Sequence, residues 1–323
     1  MGNITFSCFS YSIKARTRLF LPAYKGSTLR GGFGHAFRRA CCVARSKDCH
    51  ACFLKDSCVY SWVFETPIPK DAALMRKYTS APHPFVLEPP LGQRRQYEPG
   101  ERLDFGMTLV GRAVDYLPHF IYSFHQLGKM GLGKDKGRFD LEKVAYSPVL
   151  KDMPVKVLYK GDGKMLEKPP SPAKWSEIAK GKPPDKVTLS FLTPARIKYK
   201  GSFANDLDFH ILLRNLLRRA SLLAYFHCGF KLDDYNFSGL IEQAKQIRTS
   251  KSNLYWHDWT RWSNRQRTRM KMGGVKGEIT YEGDLSPFWS YIRLGEYVHV
   301  GKGSSFGLGR YEVKITAVKR KKP

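Results

Sequence analysis

Two stretches of this chain run through the same order of features, and that repetition limits the fold more than any single motif. From Ile4 to Leu21 apolar and polar residues alternate, Pro22 follows, then Lys25-Gly26-Ser27, then a helical pattern ending in Arg38-Arg39. The second half repeats the order: a strand pattern from Val187 to Leu192, Pro194, Lys200-Gly201-Ser202, and a helix carrying Arg218-Arg219. Each half then closes on a strand, a short helix, a glycine-rich turn and a last strand. In the first these are Arg102–Val110, Val114–Leu127, Gly131–Gly137 and Arg138–Tyr146. In the second they are Val275–Tyr281, Leu285–Leu294, Gly301–Gly309 and Arg310–Val318. Period-two alternation marks the strands and three-to-four spacing the helices. Strand–helix–strand–strand–helix–strand, taken twice, is the split βαβ arrangement, although the sequence leaves one middle strand per half unplaced. The expected class is α+β, with tandem ferredoxin-like (RRM-like) βαββαβ domains. The expected boundaries are a first domain over 1–150, with a cysteine-rich insertion at 41–60 after its first helix, and a second over 187–323. Between them, 151–186 reads as a Gly/Pro/Lys-rich linker or surface insertion. Within it, Asp162-Gly163 predicts a hairpin turn between Val155–Tyr159 and Met165–Leu166.

Charge narrows the partners. Lys and Arg number 55 against 28 acidic residues, a net charge of +27. Such an excess calls for a phosphate polymer or an anionic membrane surface. The membrane reading is the weaker, because Arg214, Arg218 and Arg219 interrupt the best apolar helix. Lys14, Arg16 and Arg18 break the N-terminal apolar run before a secretory signal can form, and Phe6 stands where myristoylation needs Ser or Thr. The expected compartment is the cytoplasm. The loop from Gly301 to Arg310 holds four glycines in nine positions, with Lys302 and Arg310 beside them. It lacks the spacing of a P-loop, and it ends a domain instead of opening a helix as a dinucleotide fingerprint must. Gly303, Gly307 and Gly309 are therefore expected to admit a polymer backbone, with Lys302 and Arg310 contacting its phosphates and the loop adding little to the core.

Four segments carry a family resemblance: Leu29-Arg30-Gly31-Gly32-Phe33-Gly34-His35-Ala36-Phe37-Arg38-Arg39; Cys49-His50-Ala51-Cys52 through Cys58-Val59-Tyr60; Trp259-Thr260-Arg261-Trp262-Ser263; and Val298-His299-Val300-Gly301-Lys302 to Phe306-Gly307-Leu308-Gly309. Together they resemble the CRISPR repeat-processing endoribonucleases of the RAMP superfamily. The resemblance implies binding of CRISPR repeat RNA and cleavage of precursor crRNA at the base of its stem. No metal is required for that cleavage, and the product either stays bound or leaves. The alternative is a non-catalytic RAMP subunit that grips repeat RNA beside other CRISPR effector subunits.

Metal-free RNA cleavage uses the substrate's 2′-OH as nucleophile and leaves a 2′,3′-cyclic phosphate. The enzyme removes one proton, supplies another to the 5′-oxygen and stabilises the charge between them. At about 100° per residue, Phe33, Ala36, Phe37 and Ala40 gather on one helix face, with His35, Arg38 and Arg39 opposite. The family commonly keeps a catalytic His on its first helix, and imidazole titrates near neutrality. His35 is the first catalytic candidate, with Tyr24 and Lys25 as partners and His210 as its counterpart in the second half. The competing reading of His35 is a solvated basic face. Asp233-Asp234 is the only adjacent acidic pair, so paired Mg²⁺ is not expected. Five of the seven cysteines (Cys41, Cys42, Cys49, Cys52 and Cys58) lie in one segment. From Cys42 the spacing C-x6-C-x2-C-x5-C is similar to the 4Fe–4S loop of endonuclease-III-type glycosylases, and the same thiolates suit zinc. Cys42, Cys49, Cys52 and Cys58 are the expected ligands of a structural site. RNA contacts are expected from Arg38, Arg39, Arg214, Arg218 and Arg219, and from Arg261 and Arg265 among Trp256, Trp259 and Trp262. The indoles are expected to be mainly core or interface residues.

Overall fold

Alternation along the first strand sends Phe9, Tyr11 and Ile13 into one apolar layer, and that layer organises the first half of the molecule. In the computed structural model the described residues are 4–45, 48–72, 74–75, 78, 80–150, 153–161, 167–230, 236–263 and 268–315. They divide into two compact units, Met1–Lys174 with Leu222–Lys231, and Trp175–Ser221 with Leu232–Pro323. The first unit contains β1 (Thr5–Ala15), α1 (Gly26–Cys41), β2 (Phe85–Glu88), β3 (Arg102–Val110), α2 (Leu117–Met130), β4 (Phe139–Ser147) and β5 (Lys156–Lys160). Its sheet runs β2-β3-β1-β4-β5, every neighbouring pair antiparallel. The first four of these strands, in that order, are the ferredoxin-like sheet, and β2 is the middle strand missing from the sequence reading. It was hidden because Phe85, Val86 and Leu87 are all fully buried between prolines, which erases alternation.

Helices α1 and α2 cover one face of the sheet through an aromatic cluster. The Phe33 ring lies parallel to Phe124, 4.8 Å between centroids, and within 5.3 Å of Phe37 and Phe120. Gly32 lets α1 approach Leu127 and Leu132, since a Cβ there would lie 2.9 Å from the Leu132 side chain. The α2 helix starts at Leu117, later than the expected Val114. Residues Gly111–Tyr116 form a 3₁₀ turn, and Pro118 fits the first α-helical turn, where its missing N–H costs nothing.

The second unit contains β6 (Lys186–Ala195), α3 (Phe209–His227), α4 (Phe237–Ala244), β7 (Arg248–His257), β8 (Thr260–Ser263), β9 (Thr268–Lys271), β10 (Gly274–Glu282), α5 (Trp289–Val298) and β11 (Tyr311–Ile315). The last turns of α3, from Leu222, are grouped with the first unit. Its sheet order is β7-β10-β6-β11, the same permutation as β2-β3-β1-β4. Here the missing middle strand is β7, an edge strand whose residues are mostly exposed, so no buried face imprints a period on it. Strands β8 and β9 form a separate hairpin.

The stretch 151–186 is not a linker throughout. Lys156–Lys160 adds a strand to the first sheet, and Ala173–Lys174 pairs with Thr5–Phe6 on β1. Apolar Leu158 and Ala173 are buried there despite the Gly/Pro-rich surroundings. The expected turn at Asp162-Gly163 and its strand Met165–Leu166 lie outside the described residues, as do Asp233-Asp234 and residues 316–318 of the expected last strand. No helix among the described residues is long and apolar enough to cross a membrane.

Because Phe33 touches both helices and the sheet, Phe33→Ala should be the most damaging single truncation in the first unit. A loss of about 3–5 kcal/mol is expected from the vacated volume, read as a lowered urea midpoint with an unchanged m-value.

Candidate active helix and nucleic-acid interface

Burying Leu29, Phe33, Ala36 and Phe37 fixes the roll of α1. The opposite face then carries His35 and Arg39 into solvent, with Arg39 one turn beyond His35. Arg38 turns aside instead: its guanidinium lies 5.6 Å from the Tyr60 ring centroid. No acidic residue occupies the first turn of α1 and no side chain caps it, so its positive end is uncompensated. Arg38 and Arg39 in its last turn complement the negative end.

Lys25 does not fit the role expected of it. Its side chain is fully buried, and Nζ donates to the carbonyls of Gly92 (2.8 Å) and Ala23 (3.3 Å). Burial, with Arg95 nearby, lowers its pKa. Lys25 pins the turn into α1 and is not presented to a substrate. Tyr24, one residue earlier, is half-buried. About 15 Å of helix axis separates this turn from His35, so a phosphate shared by Tyr24 and His35 must lie along the helix face between them. The sequence reading also passed over His83, whose Nε2 lies 3.2 Å from Arg30 of α1 and whose Nδ1 lies 3.0 Å from the Thr66 hydroxyl. Its flanking prolines gave no signal of that placement.

In the second unit the glycine loop is a built turn and not an open platform. Val300, Leu308 and His299 are fully buried, and Gly307 and Gly309 are buried with them. Gly301, Gly303, Gly307 and Gly309 all have φ between 72° and 86°, where a side chain is strained. A Cβ on Gly309 would sit 1.8 Å from the Val300 carbonyl oxygen. The Thr193 hydroxyl donates to the Gly307 carbonyl at 2.7 Å and accepts the Arg310 amide at 2.9 Å. The His299 ring donates from Nδ1 to the Leu308 carbonyl at 3.2 Å. Burial, then Arg310 and Arg219, pushes its pKa down to about 3, so it stays neutral. The expectation that this loop adds little to the core is therefore overturned. Gly307 and Gly309 serve chain geometry, Gly303 is half-buried, and Lys302 on the rim is exposed.

The arginines divide as the packing dictates. Arg214 and Arg218, one turn apart on α3, are exposed. Arg219 is buried, its Nε donating to the Val298 carbonyl at 2.5 Å, and burial lowers its pKa to about 10. That removes Arg219 from the phosphate-binding set. Arg261 is half-buried against Phe306, 4.6 Å from its ring centroid, and Arg310 is half-buried. Arg265 lies outside the described residues. Two of the three indoles reverse the expectation: Trp256 and Trp262 are 38% and 58% exposed, beside Tyr255 at 55%, whereas Trp259 is half-buried. The exposed pair lies on the edge strand β7 and its hairpin, a location that average tryptophan burial could not reveal.

Cys41, Cys42, Cys49, Cys52 and Cys58 are free and half-buried. The Cys52 amide donates to the Cys49 carbonyl at 3.4 Å, closing a turn between them. Burial and then the charges of Cys58 and Cys42 raise the Cys41 thiol to about 11. Among the described residues no group of three or more His, Cys, Asp or Glu side chains is gathered as a metal site.

Comparison with known proteins decides the family. Residues 4–171, just over half of the chain, match the AF_1859_N N-terminal domain, and residues 189–311 match CRISPR-associated endoribonuclease Cas6. The chain belongs to the family that carries the AF_1859_N N-terminal domain, and its second half is similar to the Cas6 endoribonucleases. It is 27% identical over 320 residues to an uncharacterized protein of Archaeoglobus fulgidus, covering 96% of this chain and 100% of that one. Thermus thermophilus Cas6 (TTHB231), in its product complex, superposes with a TM-score of 0.56 at 16% identity, covering 96% of this chain and 99% of that one. A chain of a partial Cas6-RT-Cas1–Cas2 complex gives a TM-score of 0.55 at 13% identity, covering 98% of this chain and 47% of its own. At these identities the likeness is one of fold.

The Cas6-type loop yields a stability prediction. Gly309→Ala should lower the melting temperature by about 5 °C or more, because the new Cβ collides with a backbone oxygen. Lys302→Ala, on the exposed rim, should leave it within about 1 °C. Circular dichroism melts of the two variants check the contrast.

Proposed function

We propose that this protein binds CRISPR repeat RNA and cleaves precursor crRNA by attack of the substrate 2′-OH. The observation that carries the reading is the exposed His35 on the polar face of α1, with Arg39 one turn away, in a chain with the Cas6 fold. His35 acts in proton transfer. The 2′-oxygen loses its proton and bonds to phosphorus, the P–O5′ bond breaks, and the 5′-oxygen is protonated as a 2′,3′-cyclic phosphate forms. Arg39 supplies positive charge for the phosphorane, and the Tyr24 hydroxyl is the remaining candidate for the second proton. Arg214, Arg218, Lys302 and Arg310 are proposed to contact phosphates, with Trp256 and Trp262 as stacking surfaces. Arg38 serves from the edge of the same helix. The relative in its product complex supports retention of the product here.

Cleavage should persist in EDTA. A substrate with a single 2′-deoxy position upstream of the cut should bind but stay intact, and its normal cleavage would rule out 2′-OH attack. His35→Ala should reduce the single-turnover rate about 10²–10⁴-fold with affinity nearly unchanged. Tight binding without cleavage by the unaltered protein would select the other reading, a non-catalytic subunit of an effector complex.

For the cysteine segment we propose a structural 4Fe–4S cluster or zinc ion held by Cys42, Cys49, Cys52 and Cys58. Support comes from four half-buried thiols in one segment, two of them joined by a turn, directly after α1. A metal there would fix the loop and take no part in cleavage. Anaerobically purified protein should contain either iron with sulfide or about one zinc. Cys41→Ser should keep the metal and Cys42→Ser should lose it, whereas metal-free anaerobic protein rejects the site.

A further inference from the structure

The glycine-rich loop of the first unit is built on the same plan as that of the second. Gly131–Gly137 connects α2 to β4, as Gly301–Gly309 connects α5 to β11. In each, a lysine amide donates to a carbonyl in the segment between the first sheet strand and the first helix. Lys134 N meets Phe20 O at 3.2 Å, and Lys302 N meets Arg196 O at 2.9 Å. A glycine makes room for that contact in both. A Cβ would lie 2.1 Å from Phe20 O at Gly133 and 2.6 Å from Arg196 O at Gly301. The loops are also closed alike. Leu132 and Gly137 exchange hydrogen bonds of 2.9 and 3.0 Å, and Val300 N donates to Gly309 O at 3.1 Å. Buried Leu132 and Leu308 anchor them from beneath. This correspondence makes Lys134 the counterpart of Lys302.

What the first loop exposes is mostly positive. Lys134, Lys136 and Arg138 are exposed around Asp135, and Lys129 is exposed at the end of α2. Four cations stand against one carboxylate on the loop and its two flanks. The neighbouring basic residues are already matched: Arg16 pairs with Asp140 at 2.7 Å and Arg18 with Glu98 at 3.0 Å. Lys136 adopts φ 49°, a left-handed conformation that disfavours side chains. A lysine held there costs backbone energy that glycine would not.

We propose that the first unit has its own phosphate-backbone site on this loop, centred on Lys134 and Lys136, which engages a second stretch of the bound RNA. The inference rests on the RNA-binding reading above, and two probes separate them: CRISPR repeat RNA and a single-stranded RNA of unrelated sequence. The Lys134→Ala/Lys136→Ala double variant should bind repeat RNA about tenfold more weakly near physiological salt. Its slope of log K against log salt should be shallower by about 1.5, the loss of two phosphate contacts. Lys134→Arg/Lys136→Arg should restore the slope, since charge alone is required. Unaltered protein that binds only the unrelated RNA, with the slope lost in the Ala variant, keeps this site and rejects the repeat-RNA reading. Unaltered protein that binds neither RNA overturns both. An unchanged slope in a folded Ala variant, with binding by the unaltered protein intact, overturns the site alone.

Discussion

The orientation of one phenylalanine ring sets what the first unit can present to a substrate. Phe33 lies flat against Phe124, 4.8 Å away at 2°, and Phe37 closes on Phe120 at 5.1 Å. Two rings at i and i+4 lock the roll of α1, and a turn of one residue, about 100°, would carry His35 toward the core. The glycines beside Phe33 belong to the same device. At Gly34 a Cβ would come within 3.0 Å of the Phe64 ring, and at Gly32 within 2.9 Å of Leu132. Gly32 and Gly34 thus let α1 pack closely around Phe33, and the polar His35 is forced outward. Exposure of His35 follows from that packing.

Not all of the positive charge is available to a partner. Arg219 spends its guanidinium inside the second unit, where its Nε meets the last carbonyl of α5. Helix C-termini carry partial negative charge and leave carbonyls unpaired, so a buried cation is better tolerated there than elsewhere. The same packing surrounds His299 with Arg219 and Arg310, which joins burial in keeping that imidazole uncharged. Arg196 follows a similar course, half-buried over the Phe203 ring at 4.4 Å and donating to the Gly273 carbonyl. Arg16, Arg18, Arg94 and Arg102 are in surface ion pairs. The cations that remain exposed on α1, α3 and the loop rims define the interface better than the total does.

The tandem βαββαβ plan was legible because its first and third strands bury one face and imprint a period of two, and because its glycine turns recur at matching places. The strands at Phe85–Glu88 and Arg248–His257 were not legible, one buried on every residue but Glu88 and the other on none. Residue roles failed where side-chain length decided them. Nothing in the local sequence separates Arg218 from Arg219, or shows that Lys25 folds back onto Gly92, 67 positions away. The outward placement of His35 was legible because exposure depends only on helix phase. Trp256 and Trp262 misled for the opposite reason, since β7 lies at a sheet edge and its hairpin pairs only with itself.

The two glycine loops share a frame but have diverged in what they support. The second is longer and inserts a 3₁₀ turn, Ser304–Phe306, between its glycines. That turn carries Phe306, on which Arg261 of β8 rests, and Arg261 opposes Met270 across the hairpin. The loop thereby holds the hairpin that displays Trp262, so collapse of its left-handed glycines would release an aromatic surface as well as Lys302. The first loop has no such turn: Lys134-Asp135-Lys136 occupies the place of the inserted residues and carries charge where the second carries an aromatic anchor. One frame thus serves two purposes, positioning a neighbouring element in the second unit and presenting charge directly in the first. Lysine tolerated at φ 49° in the shorter loop fits that division, because a turn selected only for its geometry would place glycine there.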